Sequence, residues 1–168
     1  PRPTLAAHLK RLFGRGEGTG DATLARLRDV LARDRGSYRV YRTAGGYRVL
    51  ATDGERDPDS SDTTRLMEAT GTDPWFVRLC RAQRSFRARL TPKPWRLRLL
   101  APPGDFPRDS EVEERFREWL TRYERACSDH ATCRLVEQIG DGYLHERIAP
   151  LLELHDRVTR ATDPLPLA

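Results

Sequence analysis

The chain has 168 residues, of which 38% are hydrophobic and 33% charged, the size and balance of one well-solvated domain. Thirty Lys and Arg against 25 Asp and Glu give a net charge of +5 and a sequence pI near 9.5, which modestly favours an anionic partner. No run approaches the ~20 apolar residues of a membrane span. Pro1, Pro3, His8 and Lys10 interrupt any signal-peptide core. The odd, sparse set Cys80, Cys127 and Cys133 does not look like a disulfide framework, so a reducing, cytoplasmic setting is expected.

In chain order, Thr4 can cap a helix through Leu5, Leu9, Leu12 and Phe13. Gly14, Gly16, Gly18 and Gly20 are expected to end it, and Asp21 to cap a second helix carrying Leu24, Leu27, Val30 and Leu31. Ser37–Thr43 and Gly46–Thr52 are rich in β-branched and aromatic residues and flank Ala44-Gly45, which predicts a hairpin. Alternation puts Val40 and Val49 toward a core and Arg39, Tyr41 and Arg48 on the other face. After an acidic loop, 53–62, helices are expected near Thr63–Ala69 and from Pro74, behind its Asp73 cap, to about Arg87. A strand is expected at Trp95–Leu100, a long amphipathic helix at Glu111–Cys127, a strand at Thr132–Ile139 and a helix at Leu144–Arg160. The tail Asp163–Ala168 is expected to fray. These elements predict an α+β fold: a small antiparallel sheet, the hairpin plus two further strands, covered on one face by helices. They divide the chain into an N-terminal helical extension (1–36), a core domain (37–160) and a tail (161–168).

Charge is segregated. Between Pro74 and Gly104 there is no acidic residue, while Arg78, Arg81, Arg84, Arg87, Arg89, Lys93, Arg96 and Arg98 all fall there. The hairpin adds Arg39, Arg42 and Arg48, again with no acid between Ser37 and Thr52. Guanidinium forks suit phosphate and carboxylate oxygens, and Tyr41, Tyr47 and Trp95 offer stacking faces nearby. Phe76, Leu79, Cys80 and Phe86 would form the buried side of the Pro74 helix. The competing reading is that these arginines pair with the Asp53 loop and the Glu111 helix, and that their stems cover apolar surface.

Other constellations carry less. Cys127, His130 and Cys133 have zinc-type donors at C-x2-H-x2-C spacing, but no fourth ligand beyond His145 is evident. The acids of the Asp53 loop lack the glycine and closing glutamate of a calcium loop. His155 and Asp156 project about 100° apart on a helix and are not expected to form a dyad by themselves; His155 reads as a satisfied, partly buried histidine. No phosphate loop, nucleophile elbow or paired-carboxylate motif is present, so no cofactor or metal is expected and an enzyme is disfavoured.

The segments SYRVYRTAGGYRVLAT (37–52), DPWFVRLCRAQRSFRARLTPKPWR (73–96), ATCRLVEQIG (131–140) and LELHD (152–156) resemble a family of uncharacterised bacterial proteins over roughly residues 37–158. That resemblance implies no activity, and implies that residues 1–36 are a variable extension. The hairpin also resembles, faintly, the core of archaeo-eukaryotic primase-like proteins. That likeness implies a phosphate contact at Arg48, where those proteins carry histidine; no Asp-x-Asp pair precedes it to hold metal.

The leading expectation is a binding module. Arg39, Tyr41, Arg42, Arg48, Arg78, Arg81, Arg84, Arg87, Arg89, Lys93, Trp95 and Arg96 would present a positive face to nucleic acid or a phosphorylated ligand. The alternatives are an interaction domain for an acidic protein, and a small enzyme using arginine clamps with His130, His145 or His155.

Overall fold

The computed structural model describes residues 17–168; the helix expected from Thr4 lies outside them. The fold is α+β: helix α1 (Glu17–Asp34), the hairpin β1 (Tyr38–Thr43) and β2 (Gly46–Ala51), α2 (Ser61–Ala69), α3 (Pro74–Gln83), a 3-10 turn (Pro94–Leu97), α4 (Ser110–Ser128), β3 (Cys133–Ile139) and α5 (Ala149–Thr159). The sheet is antiparallel in the order β2-β1-β3.

The hairpin forms as its pattern predicts, with Val40 opposite Val49 and Tyr41 opposite Arg48. On the other side of β1 the register shifts between Val40 and Tyr41, so that Tyr41 faces Leu135 while Val40 faces Glu137. The extra residue, Val136, is a β-bulge, which lets Cys133 and Leu135 join one face of the sheet and Glu137 and Ile139 the other.

Both faces are covered, not one. Leu27 and Leu31 of α1 pack with Tyr38 and Val40. Tyr41 and Cys133 pack with Leu152 of α5 and with Ala161 on the opposite side. Within the expected extension, α1 therefore supplies a layer of the core. Gly18 and Gly20 do not break the chain, and Asp21 is no cap; all three lie within α1.

Several element boundaries also differ from expectation. Trp95–Leu100 is not a strand, because Pro92 and Pro94 withhold two ladder donors and Pro94 instead starts a 3-10 turn that buries Leu97. The sheet thus has three strands. Helix α3 stops at Gln83, where Arg84 turns left-handed (φ 46°), and Leu79 and Phe86 stay substantially exposed while Val77 and Cys80 bury. Helix α5 begins at Ala149 rather than Leu144, since the His145 amide is taken by the Thr52 carbonyl (2.8 Å) and Pro150 fits a first turn.

The tail does not fray. The amide of Ala131 donates to the Pro166 carbonyl (2.9 Å), that of Ala168 to Ala131 (3.1 Å) and that of Leu135 to Ala161 (2.9 Å). A parallel bridge joins Ala131 and Leu167. Prolines 164 and 166 lack N–H groups but still accept, so the tail can line the start of β3 and shield its free edge.

Candidate polyanion-binding surface

The structure splits the twelve expected site residues into two sets. Arg39, Tyr41 and Arg48 share a sheet face, as alternation predicts, but α5 covers that face. Tyr41 is fully buried and meets His155 edge-on, ring centroids 4.7 Å apart. Arg39 pairs with Asp156 (2.7 Å). One guanidinium nitrogen of Arg48 lies 2.7 Å from His155 Nε2, and another donates to the Arg89 carbonyl (2.7 Å). Neither Tyr41 nor these two guanidinium groups offers a stacking or phosphate-binding surface, which removes the phosphate contact implied at Arg48.

Arg42, Arg78, Arg81, Arg84, Arg87, Arg89, Lys93, Trp95 and Arg96 are exposed. Arg81 reaches Asp59 at 3.5 Å, both half exposed, and Arg78 lies over the ring of Trp75 (5.7 Å). The others have no carboxylate partner among the described residues, and Arg98, on the same segment, joins them.

Residues 84–100 form a strap whose carbonyls are tied down while its cations point out. Arg48 holds the Arg89 carbonyl, and the Thr132 hydroxyl holds that of Leu90 (2.9 Å). The Tyr123 hydroxyl lies 2.7 Å from the Pro92 carbonyl and 2.8 Å from Thr91 Oγ1. The Trp119 indole donates to Leu100 (3.0 Å). These last two belong to a stack on α4, where Phe116, Trp119 and Tyr123 follow at 5.8 and 4.9 Å and Arg108 caps Phe116 at 3.8 Å. The helical spacing of the aromatics builds the stack, and the stack clamps the strap.

At the strap's centre Lys93 sits over the Trp95 ring (5.0 Å), whose residue is 64% exposed. The Arg96 guanidinium reaches the hairpin turn, 3.3 Å from where a Cβ would stand on Gly45. The strap and the hairpin tip, which carries Arg42, thereby meet.

Chemistry beneath the strap differs from what residue spacing suggested. His155 Nδ1 lies 2.8 Å from Asp156 Oδ1, so the two adjacent residues do interact: Asp156, drawn toward Arg39, turns back to the imidazole. Cys133 Sγ stands 3.9 Å from His155 Nε2. The set has the composition of a nucleophilic triad but neither its exposure nor an activated thiol. Burial lowers the His155 pKa despite the aspartate, and burial raises all three thiols. Burial and the neighbouring Asp156 raise the Tyr41 phenol, whose hydroxyl has no hydrogen-bond partner within reach among the described residues. Cys133 and His155 are shut away from solvent, with Nε2 already engaged by Arg48.

Among the described residues no three His, Cys, Asp or Glu side chains gather in a metal-binding arrangement. His130 instead contacts the Ala126 carbonyl through Nδ1 (2.9 Å). Four of the five acids of the Asp53 loop serve ion pairs: Asp53 with Arg56, Glu55 with Arg147, Asp59 with Arg81 and Asp62 with Arg65. A groove of about 730 Å³ runs between α2 and α3, with Asp59 and Glu68 facing Arg78 and Arg81 and no histidine in its lining.

No family model, curated protein or solved structure matches the chain. The expected site set left out Arg98, although it falls in the acid-free window, as well as Trp75, and the His155–Asp156 contact was not foreseen. The first two carried a signal, the acid-free window from Pro74 to Gly104; the third depends on which strand lies under α5, which spacing does not encode.

Proposed function

We propose that the protein is a binding module for single-stranded nucleic acid, using the strap and hairpin tip as its contact surface. The observation that carries this reading is a run of six exposed cations, Arg84, Arg87, Arg89, Lys93, Arg96 and Arg98, without carboxylate partners among the described residues, on a segment whose backbone is anchored from β2, α4 and Thr132. Anchored carbonyls keep the cations turned outward at low entropic cost on binding. Trp95 supplies an exposed ring on which a base can stack, a face that a duplex does not offer its partner. A small enzyme acting on a phosphorylated substrate fits less well, since the buried histidine is sealed off and the large groove mixes both charges.

Titration of labelled single-stranded DNA and RNA at low salt, repeated as salt rises, tests the proposal. Retention that collapses with salt and weakens in Trp95→Ala is expected. If neither single strand is retained, the reading fails; stoichiometric co-purification of an acidic protein with no nucleic acid would assign the same cations to a protein partner.

A further inference from the structure

Arg48 ties the strap to the His155 imidazole beneath the sheet. Its guanidinium can only donate, so the lone pair at 2.7 Å must sit on His155 Nε2 and the ring proton on Nδ1, facing Asp156 Oδ1. The second arm of the same guanidinium holds the Arg89 carbonyl. We propose that Arg48 and His155 form a protonation-sensitive latch that fixes the cationic strap in its ligand-binding shape.

Every group facing the imidazole supports this logic. From α5, Asp156 accepts a hydrogen bond from Nδ1–H and is held in turn by Arg39 of β1. From β1, Tyr41 packs edge-on, its hydroxyl without a hydrogen-bond partner among the described residues. From β3, the neutral Cys133 thiol stands 3.9 Å from both Nε2 and Arg48. From β2 comes Arg48 itself. A proton added at Nε2 would leave Asp156 in place as counterion and set two donors face to face at Arg48. Arg48 is the member free to leave, and its departure releases the Arg89 carbonyl. The lowered pKa of His155 keeps the latch closed at neutral pH and opens it in acid, below the ordinary histidine range.

The latch concerns the free protein; its effect on affinity alone rests on the nucleic-acid reading. NMR titration of the wild-type chain between about pH 8 and pH 5 follows both. The His155 ring is expected to start unprotonated at Nε2, and the Arg89, Leu90 and Thr91 amides to shift with the ring's own midpoint, separate from those of His130 and His145. Amide exchange in the strap, corrected for its intrinsic pH dependence, should rise several-fold across that midpoint while β1 and β3 stay protected. In His155→Gln, which supplies a neutral acceptor that cannot titrate, the strap response should vanish. A strap indifferent to the titration of His155, or a ring protonated at Nε2 at neutral pH, overturns the proposal. Both readouts need no ligand, so a failed nucleic-acid titration leaves the latch standing, and tight binding by a pH-indifferent strap removes only the latch.

Discussion

Arg84 and Arg98 occupy left-handed backbone positions, φ 46° and 59°, at the ends of α3 and the 3-10 turn, where glycine is favoured. An L side chain there costs about 1–2 kcal/mol. Glycine relieves that cost but gives back roughly 0.5–1 kcal/mol through its freer unfolded chain. Arg84→Gly and Arg98→Gly should each therefore raise stability by about 0.5–1 kcal/mol, read as a small increase in Tm, while weakening nucleic-acid binding. Arg84→Ala loses the cation without relieving the backbone, so its binding should fall as far with no gain in Tm. Stabilisation without loss of affinity would show that these cations do not touch ligand. Gly140 makes the opposite case. At φ +97°, an added Cβ would stand 2.3 Å from the Gly36 carbonyl oxygen, a backbone atom that cannot step aside. Gly140→Ala should cost more than about 2 kcal/mol in chemical denaturation.

At the scale of elements, α1 belongs to the core. Leu31 is almost fully buried against the sheet face that carries Tyr38 and Val40. Leu31→Ala should destabilise by about 2–5 kcal/mol, and a chain lacking residues 1–36 should lose cooperative unfolding, because half of the sheet would be stripped. The amphipathic spacing of Leu24, Leu27 and Leu31 made the helix legible, but periodicity says only that one face is buried, not against what. The same limit explains the sheet. The alternation in 38–51 correctly put Arg39, Tyr41 and Arg48 on one face, yet that face became solvent in the reading because the partner helix α5 is a hundred residues away in sequence. At 95–100 the apolar run was equally short of information, and two prolines decided for a turn. The cations of 84–98 were legible as an exposed, acid-free cluster because their signal is an absence of acids over a continuous stretch, which needs no knowledge of tertiary contacts.

The whole molecule keeps its charges apart, and the separation predicts how binding should respond to salt. Acids concentrate in the Asp53 loop, largely in ion pairs with arginines outside the strap, and in the first turn of α4, where Glu111 and Glu113 complement the helix dipole. The strap is left with six cations and no internal counterion among the described residues. On a single strand each phosphate contact contributes about −0.7 to the slope of log affinity against log salt. If all six engage, the slope should be about −4. Each Arg→Gln change on the strap should make it shallower by about 0.7. Arg39→Gln, which disturbs a guanidinium already spent on Asp156 at 2.7 Å, should weaken the fold and leave the slope unchanged. Arg28, paired with Glu137 at 2.7 Å on the α1 face, provides a second control of the same kind on a more exposed pair. Should the paired arginines shift the slope as much as those of the strap, the contact surface would be diffuse over the molecule, and the anchored strap would have no special part in binding.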